Sequence, residues 1–68
     1  MADSVYKVIE LVGTSTNGWE DAAKAAVNKA GESLKNLRIA EISKLDMTME
    51  DGDVVLFRAR VTLSFKID

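Results

Sequence analysis

The chain contains no cysteine, no histidine and no proline. Without cysteine there is no disulfide and no thiolate zinc site. Without histidine the usual Ser–His and Cys–His nucleophile pairs cannot form, and the commonest soft-metal ligand is missing. No apolar run approaches the ~18 residues of a membrane span. Neither sign of charge dominates: 9 basic side chains face 11 acidic ones, for a net charge of -2. That balance leaves no electrostatic footprint for DNA or RNA. Glycine is scarce, at Gly13, Gly18, Gly31 and Gly52, and forms no G-x-G-x-x-G or P-loop pattern. The start, Met1 to Tyr6, lacks the basic and apolar stretches of a signal peptide. The expectation is a cytoplasmic chain with no nucleic-acid or membrane partner, built to bind rather than to catalyse.

What is present is 68 residues, read as one domain over 1–68. A domain this small buries only about 60% of the surface its unfolded chain exposes. Such chains need a staple: disulfides, a structural metal or oligomerisation. The composition leaves oligomerisation.

The segment Val5–Val12 is rich in β-branched residues and runs into the breaker cluster Gly13 to Gly18, which predicts a strand and then a loop. Asn17 and Glu20 have the spacing of a capping box. Trp19, Ala22, Ala23, Ala26, Ala30 and Leu34 then recur at helical spacing, which predicts a helix of about 16 residues. A strand is expected from Leu37 to Glu50. Asp51-Gly52 is a strong hairpin signal, and a second strand is expected from Val54 to Ile67. In that last strand Val55, Phe57, Ala59, Val61, Leu63, Phe65 and Ile67 share one face, and Arg58, Arg60, Thr62, Ser64 and Lys66 share the other. The fold class is α+β: a β-α-β-β subunit whose three-stranded antiparallel sheet wraps around one helix, with the last strand in the middle.

Lengths carry the argument further. A strand of about 14 residues spans roughly 45 Å, whereas a helix of about 16 residues spans only ~24 Å. Compact packing of 68 residues predicts a radius of gyration near ~11 Å. The hairpin outruns its helix, so other subunits must cover the rest of its apolar face.

Candidate chemistry is sparse. Ser43 precedes Lys44, but neighbours on a strand point to opposite faces, so surface residues are the favoured reading over a Ser–Lys pair. Gly13-Thr14-Ser15 precedes a helix N-terminus that could hold an anion; a strand-to-helix turn is favoured. Asp46, Glu50, Asp51 and Asp53 form an acidic cluster around the hairpin without the EF-hand pattern; a solvated turn is favoured over a calcium site. Trp19 reads as a core or interface anchor. The row Arg58, Arg60, Lys66 would repel unless it meets carboxylates, phosphates or another subunit. Intersubunit pairing with residues such as Glu41 and Asp46 is favoured over a ligand phosphate.

Four segments together, Val5–Ser15, Trp19-Glu20-Asp21-Ala22, Ala40-Glu41 and Val61–Lys66, resemble the dodecin family in order and at matching length. The resemblance implies a β-α-β-β subunit of a hollow homododecamer that binds and stores small ligands, with FMN or riboflavin as the family cofactor, coenzyme A in some members, and no turnover. Three positions matching the family's flavin pocket are substituted. Ile39 stands where flavin binders carry a stacking tryptophan, Arg58 where they often carry a glutamine, and Lys44 where they carry an acidic or polar residue. On these positions the chain resembles the tryptophan-less, calcium-dodecin-like type more than the flavin-binding type. The expectation is a dodecameric small-ligand store with weak or no flavin affinity. The alternatives are a flavin store despite the substitutions, and a calcium-binding or purely structural particle. No protein metal ligands are assigned.

Overall fold

A computed structural model describes residues 3–67. Met1, Ala2 and Asp68 lie outside the described residues, as does part of the leader reading over Met1 to Tyr6. Strand β1 covers Val5–Ser15, helix α1 Trp19–Gly31, strand β2 Leu37–Glu50 and strand β3 Asp53–Ile67. The sheet order is β1-β3-β2, antiparallel throughout, so the last strand lies in the middle as expected. Asp51 and Gly52 both take positive φ, 50° and 84°. They form the two-residue turn that an Asp-Gly pair favours, because its backbone twist matches that of the strands.

Three local expectations need correction. First, β1 does not stop at Val12. Gly13, Thr14 and Ser15 pair with Ala59, Arg58 and Phe57, so the presumed loop start is strand. Gly13 is there for space: a Cβ would collide with the Ala22 carbonyl oxygen and sit 3.0 Å from the Ala26 Cβ. The helix is thus seated directly on the strand backbone, which only glycine permits. The anion-turn reading of Gly13-Thr14-Ser15 falls with this. Second, Asn17 is not the N-cap. Gly18 holds that position with no side-chain cap bond, and the Asn17 backbone N–H donates to Ser15 Oγ at 2.9 Å. Ser15 Oγ in turn donates to Asp21 Oδ2 at 2.7 Å. Glu20 pairs with Lys24 one turn on, at 3.1 Å. Third, the helix has 13 residues rather than about 16.

The core lies between α1 and the β1–β3 half of the sheet. Ala22, Ala26 and Ala30 from the helix meet Ala59, Val61 and Leu63 from β3. Ile9, Leu11, Val27, Leu34 and Leu37 close its margins. Alanines bring the helix close to the sheet but bury little area each. The helix barely reaches β2, so the inward side chains Ile42, Leu45 and Met47 are left exposed.

The shape follows. The chain measures 56 × 20 × 13 Å, with a radius of gyration of 14.3 Å, well above the ~11 Å of a compact chain this long. Its accessible surface is 5057 Å², against about 4,200 Å² for a folded monomer of this mass. The excess is the uncovered hairpin.

Candidate functional site

Two surfaces on the hairpin carry unusual chemistry. The first lies on the helix side, where α1 stops short of β2. An open apolar cleft of ≈ 430 Å³ is lined by Trp19, Glu20, Ala23, Lys24, Ile42 and Leu45. Trp19 is one of its walls. The indole Nε1–H donates to the Asp46 carbonyl oxygen at 2.9 Å. Its ring meets Phe57 edge-on, with centroids 5.2 Å apart and an interplanar angle of 76°, a favourable aromatic geometry. Trp19 therefore ties the helix N-terminus to the middle of the hairpin, in keeping with an anchor.

The second surface is the outward face of the sheet. Its side chains follow from the ladder, since cross-strand partners share a face. Ile39 lies opposite Ser64, Glu41 opposite Thr62, Lys44 opposite Arg60 and Asp46 opposite Arg58. Ile39, Lys44 and Arg58 thus share this face. They do not meet within one subunit: six residues of β3 separate the levels of Ile39 and Arg58, roughly 20 Å. Ile39 is 63% exposed, with no aromatic ring beside it on the neighbouring strand.

Arg58 is not free. Its Nε donates to Asp46 Oδ1 at 2.7 Å and its Nη2 to Asp46 Oδ2 at 2.9 Å, a bidentate fork. These hydrogen bonds hold the Asp46 carboxyl below the usual carboxylate range; desolvation opposes them, and the charges of Arg58 and Arg60 add smaller contributions in the same direction as the bonds. The same bonds push the Arg58 guanidinium up. Arg60 Nε sits 4.0 Å from Glu10 Oε1. The expected intersubunit pairing of this row is corrected for Arg58, which finds its carboxylate on the neighbouring strand of the same chain because the register brings Asp46 alongside; Glu10 stands beside Arg60 without a hydrogen bond to it.

Around the hairpin, Asp46 is engaged by Arg58, and among the described residues no group of three or more acidic side chains converges as a metal site. Calcium takes six to eight oxygens, so these residues do not form a cage within one chain. Flavin fits no better. Ile39 offers no ring to stack on, and a guanidinium cannot accept a hydrogen bond. Ser43 does not pair with Lys44; its Oγ donates to the Arg60 carbonyl oxygen at 3.1 Å. Among the described residues no helix is long and apolar enough to cross a membrane.

Reading the sequence missed the Asp46–Arg58 fork and the Trp19 bond. A signal for the fork exists. On β2 the apolar residues Met47 and Leu45 step by two, but Leu45 to Ile42 and Ala40 to Leu37 step by three. A step of three on a strand marks an extra residue, and an extra residue shifts the register.

The dodecin family model matches residues 5–68. Calcium dodecin from Mycobacterium tuberculosis is 39% identical over 64 residues, covering 94% of this chain and 90% of that protein. Its crystal structure, described as calcium chelating with a novel calcium-binding site, superposes with a TM-score of 0.84 over 96% of this chain and 93% of that one. Dodecin from Thermus thermophilus is 33% identical over 64 residues, covering 94% of this chain and 93% of that protein. Dodecin from Streptomyces coelicolor superposes with a TM-score of 0.92 at 32% identity, over 100% of this chain and 97% of that one. One expectation is overturned: the description tryptophan-less does not hold for this chain, which carries Trp19 at the start of α1. The identity to calcium dodecin nonetheless exceeds that to the Thermus dodecin. In sequence and in fold the chain belongs to the dodecin family, whose members store small ligands rather than transform them.

Proposed function

We propose that residues 1–68 act as one domain, the subunit of a cytoplasmic homododecameric shell that stores a small ligand and has weak or no affinity for flavin. The ligand site is assigned to the outward sheet face around Ile39, Lys44 and Arg58, completed between subunits. The Arg58–Asp46 fork carries this reading. At the position where flavin binders often present an acceptor, this chain presents a donor that is already spent on its own carboxylate. Loss of a stacking ring at Ile39 removes a further ~1–3 kcal/mol. The overhanging hairpin and its apolar inner face support the shell.

The test is one titration of the purified protein with FMN. The expected result is a colourless preparation and little quenching of FMN fluorescence. A yellow preparation or strong quenching would return the chain to the flavin stores.

Calcium is the second reading, favoured by the 39% identity to calcium dodecin. Carboxylates of neighbouring subunits would have to complete such a site. Elemental analysis of the purified shell, before and after dialysis against a chelator, distinguishes a calcium store from a store of another ligand.

A further inference from the structure

The outward face holds a juxtaposition that the Arg58–Asp46 fork does not explain. Lys44 and Arg60 are direct cross-strand partners. Two cations opposite each other on one face repel. The arrangement is also not the default one for this strand. Ile42 points inward opposite Val61, so regular alternation would turn Lys44 inward too. An extra residue, Ser43, stands between the pairs Ile42–Val61 and Lys44–Arg60. Its Oγ donates to the Arg60 carbonyl oxygen at 3.1 Å. The bulge keeps Ile42 inward and re-aims Lys44 outward, next to Arg60. Bulges are used in this way to redirect a side chain beside a site.

Neighbouring carboxylates leave the pair under-compensated. Asp46, the next outward residue on β2, is engaged in both oxygens by Arg58. Glu10 approaches Arg60 only to 4.0 Å, longer than a hydrogen bond. Among the described residues no ion pair involves Lys44 or Glu41. Both Lys44 and the Arg60 fork remain accessible, the latter 40% exposed. A compact ammonium beside a planar guanidinium is a pairing suited to phosphate oxygens.

We infer that Lys44 and Arg60, set side by side by the Ser43 bulge, form a binding site for the phosphate group of a small molecule. The inference rests on the reading of this face as the ligand face, and it names the ligand's chemistry. Arg58 is outside the site.

The test is calorimetric titration of the full chain with inorganic pyrophosphate at low ionic strength. Binding is expected, weakened about tenfold or more in each of Lys44→Gln and Arg60→Gln, and by a smaller factor in Ser43→Ala, a positioning residue. Lys35→Ala, in the loop after the helix, should bind as the parent does. Absence of binding in the parent overturns the inference. So does unchanged binding in Lys44→Gln, or an equal loss in Lys35→Ala, which would mean charge alone. Sedimentation in the same buffer separates this from the shell. An assembled particle that ignores pyrophosphate removes the phosphate site and leaves the shell. A monomer that binds through Lys44 and Arg60 removes the shell and leaves the site, since both residues lie in one chain.

Discussion

Arg58 and Asp46 face each other across the β2–β3 ladder and join through both arms of the guanidinium, at 2.7 and 2.9 Å. The pair lies at the level of Trp19, whose indole holds the Asp46 carbonyl. One residue of β2 is therefore held from two sides, by its side chain and by its backbone.

Opening the pair and restoring a ring should change what the face binds. Ile39→Trp with Arg58→Gln is expected to gain quenching of FMN fluorescence. A stacked ring contributes ~1–3 kcal/mol, which tightens binding by roughly 5- to 150-fold. A double variant that assembles normally and still ignores flavin would show that these positions do not line the pocket.

The fork also predicts a pH dependence. The Asp46 carboxyl is held below its unfolded value by Arg58. A depressed carboxyl stabilises the fold above the unfolded pKa, and the contribution is lost as pH falls through the lower folded value. The window therefore lies below an ordinary aspartate pKa of about 3.9. Thermal midpoints of the parent should drop on going from pH 5 into that window more than those of Asp46→Asn. Equal drops would show that the fork adds nothing. The pair is exposed, so salt should reduce the difference.

Gly13 and Gly31 should respond in opposite directions to alanine. At Gly13 the new methyl meets the Ala22 carbonyl oxygen and forces the helix off the strand; overpacking of this kind costs about 1–3 kcal/mol. At Gly31 nothing lies within 4 Å, and alanine in a helix is better by about 0.5–1 kcal/mol. Denaturant midpoints of the two variants bracket the parent if the helix is seated as described.

These glycines also show what the sequence discloses. Chain order, strand order and the Asp51-Gly52 turn were legible, because alternation and turn chemistry are local. Gly13 looked like a breaker since a close approach of helix to strand is invisible until the helix is placed. The capping box failed for a related reason: Ser15, paired into β1, takes the Asn17 N–H and Asp21 for itself. Ile39, Lys44 and Arg58 stood out as residues, but the partner of Arg58 within the chain did not. Asp46 meets Arg58 only because extra residues such as Val55 and Ser43 shift the register.

The apolar cleft gives a prediction about assembly. Leu45 is 51% exposed and lines the cleft beside Trp19. Leu45→Asp should break the particle, read as a loss of mass by sedimentation, and weaken the circular dichroism as separated subunits lose the core they share. A particle of unchanged mass would place the subunit contacts elsewhere.

The 56 Å length of the subunit has a consequence for the chain's life after synthesis. A subunit that finishes its core only against its neighbours has no fixed stability of its own; that quantity depends on how many copies are at hand. Dilution then acts as a denaturant. A copy made in excess of its partners is a substrate for proteases, so the cell's stock of particles is set by a threshold in the number of chains and not by a simple proportion.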